Sequence, residues 1–177
     1  AKNTAASEVV LTDFPTNTLE NLRYNVALNA RGGPGERGPA VRSLDWTDKS
    51  TWPDPGSIDL VIGSDLVYDD GMASLLAPLV AHVLRPGGNF IHIFPERGRV
   101  GVEEQTEALA ATGLGLTFET DLPPGKLRAG HAIQPSGGEP PARHSMWHIF
   151  NECNSKRFIV RRYTKQPPPA AMGAREE

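Results

Sequence analysis

Ile58-Asp59-Leu60-Val61-Ile62-Gly63-Ser64-Asp65-Leu66-Val67-Tyr68 is the stretch on which the fold turns. Its first five residues are apolar and largely β-branched around one carboxylate, the pattern of a buried strand. The strand runs out through Gly63-Ser64 into Asp65, so polar chemistry begins where the strand stops. Beyond it, Met72, Leu75, Leu76, Leu79, Val80, Val83 and Leu84 recur at i, i+3, i+4 and i+7, which predicts a helix ended by Pro86-Gly87-Gly88. Pro78 lies inside that stripe and lacks a backbone donor, so a bend or a late start is expected there. Phe90 to Phe94 then reads as a second buried-type strand. Strand, helix, strand is the repeating unit of an open α/β sheet.

The same alternation extends in both directions. Upstream, Glu8-Val9-Val10-Leu11-Thr12 reads as a buried strand that stops at Asp13, before the breaker Pro15. Asn17 followed by Glu20 resembles a capping box, and Leu19, Leu22 and Val26 carry a helix from about 17 to 30, up to Gly32-Gly33. Ala40 to Leu44 is a short strand. Downstream, a helix is expected over 102–112, a strand over 114–119 and a last strand over 157–163, whose arginines suggest an exposed edge or face. The fold class is therefore α/β: a Rossmann-like open sheet with helices on both faces, in a single domain over 1–165. Residues 120–145, rich in proline and glycine, read as an irregular surface insertion, and 166–177, with Pro167-Pro168-Pro169, as a disordered tail.

Composition narrows the function classes. The 177 residues hold 38% hydrophobic and 22% charged side chains, values near those of folded globular domains. No apolar run approaches the roughly 18 residues of a membrane span, so no membrane partner is expected. A net charge of −3 gives no global attraction to nucleic acid, which is not an expected partner either. One cysteine, Cys153, cannot close an intrachain disulfide, which fits a reducing compartment such as the cytoplasm or is simply neutral, and the expectation is a cytoplasmic or otherwise intracellular protein.

In open α/β sheets ligands bind outside the carboxyl ends of the strands. Three such ends carry polar residues here: Asp13, Asp45-Trp46, and Ser64-Asp65 with Tyr68. A carboxylate ending a strand can accept hydrogen bonds from both ribose hydroxyls, which makes Asp13 a ribose candidate; capping the next turn is the plain alternative. Trp46 can cover an adenine face or simply pack.

The segments Val10-Leu11-Thr12-Asp13-Phe14-Pro15, the Asn21/Asn25/Asn29 helix, Leu44-Asp45-Trp46, Asp65-Leu66-Val67-Tyr68 and Leu84-Arg85-Pro86-Gly87-Gly88 follow one another in order. Together they resemble the seven-β-strand methyltransferases that use S-adenosylmethionine. More narrowly, they resemble the small protein-lysine methyltransferases marked by Asp-x-x-Tyr after the fourth strand. The resemblance implies that Asp13 holds the cofactor ribose, that Asp45 and Trp46 lie beside the adenine, and that Gly63 and Ser64 pass near the methyl-donor end. Asp65 and Tyr68 would face the substrate amine as the catalytic pair. It further implies a protein lysine as substrate. The plain alternatives are a helix cap for Asp65 and a core aromatic for Tyr68.

The family places a glycine-rich loop after its first strand, and no such strand and loop precede Glu8. The expectation is an N-terminally truncated domain lacking that central strand. Gly32-Gly33-Pro34-Gly35 follows a helix and reads as a connection. Two rival readings follow: a binding or scaffold module without catalysis, and a methyltransferase acting on a small amine. A nicotinamide enzyme is disfavoured because no Gly-x-Gly-x-x-Gly precedes Asp13. His144 and His148 lack the glutamate of a metalloprotease motif, so no metal is expected. Arg157, Arg161 and Arg162 with Lys156 and Lys165 could dock an acidic partner or RNA, but read better as a charged, solvated edge strand.

Overall fold

The computed structural model describes residues 6–29, 38–123 and 156–167. The insertion beyond Pro123, the glycine-rich 30–37 connection, His144, His148, Cys153 and the tail from 168 lie outside them. Chain contacts form two compact units, Ala1–Pro53 and Asp54–Glu177.

The first unit holds β1 (Val10–Asp13), α1 (Thr16–Asn29) and β2 (Ala40–Ser43). The two strands pair in parallel with Asp13 opposite Ser43, and α1 packs on both. Helix α1 starts one residue earlier than the sequence pattern suggests, and Asn17 is no capping-box residue. Its side-chain oxygen accepts from the adjacent Thr18 N–H, while Leu19 N–H donates to the Pro15 carbonyl. The asparagine row bonds along the helix itself: Asn25 donates to the Asn21 side chain and Asn29 to the Asn25 carbonyl. Among the described residues of this unit, Leu19 is the one fully buried hydrophobic side chain.

The second unit holds β3 (Ile58–Ser64), α2 (Met72–Val83), β4 (Leu84–Pro95), α3 (Val102–Ala111), β5 (Leu114–Leu122) and β6 (Phe158–Lys165). Its sheet runs β3-β4-β6-β5, parallel between β3 and β4 and antiparallel across β6. Helices α2 and α3 pack against each other, so within this unit they share one face of the sheet. Phe90, His92 and Phe94 point to that side and are almost fully buried.

Helix α2 starts at Met72 and continues past Pro78, which sits on its exposed side together with Ser74, whose carbonyl it cannot bond. Two boundaries move for identifiable reasons. Strand β4 begins at Leu84 and not at Phe90, because Ile58 already pairs with Leu84 and a register shift before Leu60↔Asn89 absorbs Pro86-Gly87-Gly88. Strand β5 continues to Leu122, since β6 pairs with it as far as Leu122↔Phe158.

The largest correction concerns β6. It is an interior strand between β4 and β5 and not a charged edge. Its cations are matched across the sheet: Arg157 pairs with Asp121, Arg161 with Glu119 at 2.6 Å, and Arg162 lies over the Phe118 ring. Lys165 donates to the Ala81 and Leu84 carbonyls at 2.6 Å each, closing the end of α2. Four of the five cations weighed as a docking patch, Arg157, Arg161, Arg162 and Lys165, are thus engaged within the chain.

Candidate active site

In the first unit the carboxyl ends of parallel β1 and β2 place Asp13 and Asp45-Trp46 on the same side of the pair. Asp13 is half-buried. Its Oδ1 accepts from Phe14 N–H at 2.8 Å, and its carbonyl accepts from Leu44 N–H. The carboxylate is therefore fixed by the turn, with Oδ2 outside any hydrogen bond found among the described residues. Asp45 is more heavily used. Its Oδ1 accepts from both the N–H and the hydroxyl of Thr47, and its carbonyl accepts from Thr51 Oγ1 and from the Trp52 indole. Asp45 thereby organises the loop that carries the half-buried Trp46.

In the second unit the chain turns sharply after β3. Glycine fits here because a Cβ at position 63 would collide with the Leu66 side chain and come within 3.3 Å of the Phe90 ring. Asp65 takes φ +57°, a left-handed conformation uncommon outside glycine, asparagine and aspartate. Two bonds to β4 hold that turn: Asp65 N–H donates to the Ile93 carbonyl at 2.7 Å, and Leu66 N–H donates to His92 Nε2 at 3.2 Å. Val67 is fully buried, which turns the next residue outward, and Tyr68 is 57% exposed. Helix α2 starts only at Met72, with Gly71 at its N-cap. Asp65 is therefore no helix cap and Tyr68 no core aromatic.

Arg99 was not anticipated. It grips Asp65 with both prongs of its guanidinium, Nε to Oδ1 and Nη2 to Oδ2 at 2.5 Å each. The pair is partly open to solvent. The Arg99 hydrogen bond holds the Asp65 carboxyl below the ordinary carboxylate range, and Asp65 in turn raises the guanidinium. Arg99 also lines a cavity of about 330 Å³ beyond the end of β4 with Glu96, Glu103, Glu104, Ile159 and Arg161. Asp65 and Tyr68 are not among its walls, so Arg99 connects the cavity to the turn.

His92 is the second group missed from sequence. It is fully buried between Phe90 and Phe94, and burial pushes its pKa down to about 4, against smaller opposing effects of Gln105 and Asp65. The ring is therefore neutral at pH 7. Since Nε2 accepts from Leu66, the proton sits on Nδ1. Neither Nδ1 nor the Gln105 amide has a partner in hydrogen-bond geometry among the described residues, although Gln105 lies close enough to raise the imidazole pKa.

Among the described residues no group of three or more His, Cys, Asp or Glu could hold a metal ion, and no helix is long and apolar enough to cross a membrane.

Solved structures place this architecture. An S-adenosylmethionine-dependent methyltransferase from Mesorhizobium loti aligns with 90% of this chain and 81% of its own, at 16% identity and a TM-score of 0.52. The N-methyltransferase NodS from Bradyrhizobium japonicum, in complex with S-adenosyl-L-homocysteine, aligns with 90% of this chain and 67% of its own, at 10% identity and a TM-score of 0.56. The fold is the Rossmann-like α/β fold of S-adenosylmethionine-dependent methyltransferases. The family description "Lysine methyltransferase" matches residues 1–108, and the chain belongs to that family. EEF1A lysine methyltransferase 3 from Mus musculus is 33% identical over 97 residues, 54% of this chain and 39% of that protein. The chain thus spans well under half the length of that relative.

Proposed function

We propose that the protein is an S-adenosylmethionine-dependent N-methyltransferase acting on a protein lysine. The observation that carries this reading is the turn after β3, where an ionised carboxylate and an exposed tyrosine three residues on stand at the carboxyl end of a strand, in a chain of the lysine methyltransferase family. Asp13 fits a ribose, because its carboxylate is held by the turn through one oxygen and offers the other. Trp46 and the Asp45 loop fit the adenine side, and Gly63-Ser64 the side of the methyl donor. When bound, S-adenosylmethionine supplies a methyl group on a sulfonium centre. The chain's own residues have the remaining tasks: Asp65 accepts a hydrogen bond from the incoming amine, and the Tyr68 ring flanks the lysine stem.

The test is incubation with labelled S-adenosylmethionine and a panel of protein and small-amine acceptors, read by mass spectrometry for methyl-lysine. Label on a small amine alone would move the assignment to the small-amine alternative. Calorimetric titration of the cofactor separates the reading as a non-catalytic binding module, which predicts no binding heat.

A further inference from the structure

Resting on the proposed reading, we propose that Arg99 is the positioning residue of the site: by clasping both oxygens of Asp65 it cancels the carboxylate's charge, so that an amine docked there is held as the neutral base.

The argument begins with a conflict. Methyl transfer from a sulfonium needs a free lone pair on nitrogen, while a lysine amine has a pKa near 10.4 and arrives protonated. A bare carboxylate attracts the ammonium but also stabilises it. An opposite charge within about 4–6 Å moves a pKa by about one to three pH units. Asp65 alone would therefore dock the substrate in its unreactive form.

The Arg99 fork answers this. A carboxylate has about four lone-pair positions, and a bidentate guanidinium takes one on each oxygen. The outer positions can still accept an N–H, and both partners remain about one-third exposed to an incoming group. What the amine meets is a hydrogen-bond acceptor with its charge balanced by a cation that cannot lose its proton. The other groups facing Asp65 do not undo this balance: His92 beneath it is neutral, and Lys156 adds a weaker positive influence. Around Arg99, Glu103 is turned to Arg161 and Glu96 to Arg157. Glu104 also stands in the cavity wall. The two prongs at 2.5 Å make Asp65 the fork's partner.

The experiment uses the full chain, Arg99→Met and Arg99→Lys, with n-butylamine as a lysine side chain without its backbone, titrated by NMR from about pH 7 to about pH 11 across the amine's own ionisation. In the wild-type chain the affinity should hold or rise as the probe becomes neutral. In Arg99→Met it should be about tenfold tighter near pH 7, the equivalent of a one-unit pKa shift, and fall as the probe deprotonates. Arg99→Lys, which keeps the charge but not the fork, should resemble wild type near pH 7 and approach Arg99→Met as the lysine itself loses its proton towards about pH 11, and matching circular dichroism spectra establish that all three are folded. In the transfer assay the rate midpoint of Arg99→Met should move about one pH unit more alkaline, with KM unchanged or lower. An amine titration identical in wild type and Arg99→Met overturns the proposal, as does a methionine variant that is faster near pH 7, which would make Arg99 a plug. If the wild-type chain methylates no acceptor, the methyltransferase reading fails by itself, and the amine titration still decides the role of Arg99.

Discussion

Acidification should destabilise this protein well above the range in which its carboxylates titrate, and His92 is the reason. Its imidazole is buried between two phenylalanine rings, and Nε2 serves as the acceptor for Leu66 N–H. A proton added there both charges a buried ring and removes the acceptor. The folded pKa of about 4 lies below the unfolded value of 6.5, so the unfolded chain binds the proton first. Stability is then fully present above pH 6.5 and is lost as pH falls towards 4. The gap corresponds to roughly 3 kcal/mol, of which about 2 kcal/mol is lost between about pH 7.5 and pH 5. Asp65 stays ionised over that interval, because Arg99 holds it below the ordinary carboxylate range. Urea unfolding followed by circular dichroism at several pH values measures the loss. His92→Gln keeps an acceptor for Leu66 without a titrating group, and its stability should change little over the same interval. Equal pH slopes for the two proteins would refute the reasoning, because the slope would then come from other groups.

Asp65→Ala should abolish methyl transfer with little change in cofactor affinity; a dissociation constant that rises as far as the rate falls would move Asp65 to the cofactor side. Asp13→Ala should weaken cofactor binding by about tenfold to a hundredfold, the cost of a lost charge-assisted acceptor of about 1.5–3 kcal/mol, and calorimetry that finds no change would leave Asp13 with its turn alone. In hydrogen exchange, amides of β1 and β2 should exchange well before those of β4 and β6, since the buried side chains lie overwhelmingly in the second unit; equal protection in both units would contradict that.

The order of elements was legible because periodicity is local: the Met72–Val83 stripe and the Ile58–Ser64 run each declare themselves within a dozen residues. The strand ends at Asp13, Asp45 and Asp65 were legible for the same reason. Pairing across the sheet was not. The arginines of β6 read as an exposed edge because their partners are remote in sequence, Glu119 lying 42 residues before Arg161 and Asp121 36 residues before Arg157. Cross-strand ion pairs make such a strand suitable for the interior. Arg99 carried a signal of the same kind: Glu96 to Arg99 follows the carboxyl end of β4, the place where polar residues of an open α/β sheet meet ligands. His92 was readable as a core position from the alternation Phe90-Ile91-His92-Ile93-Phe94. Its bond to Leu66, by contrast, depends on the bend at Asp65, which only the folded backbone reveals.

The residues assigned to the cofactor and those assigned to the amine rest on unequal foundations. Among the described residues, Leu19 is the one fully buried hydrophobic side chain in the unit of Asp13, Asp45 and Trp46, whereas the other fourteen support the unit of Asp65, Tyr68 and Arg99. With fewer fully buried side chains, order in the first unit depends more on its hydrogen bonds and on whatever binds it. If that unit is fully ordered only part of the time, the apparent cofactor affinity falls by the same fraction, with every contact intact. A weak dissociation constant thus has two physical sources, and the heat capacity of binding tells them apart. Coupled ordering buries apolar surface and gives a large negative value, whereas a missing contact on an ordered unit does not. The affinity of Asp13→Ala carries information about the ribose only when read against that heat capacity.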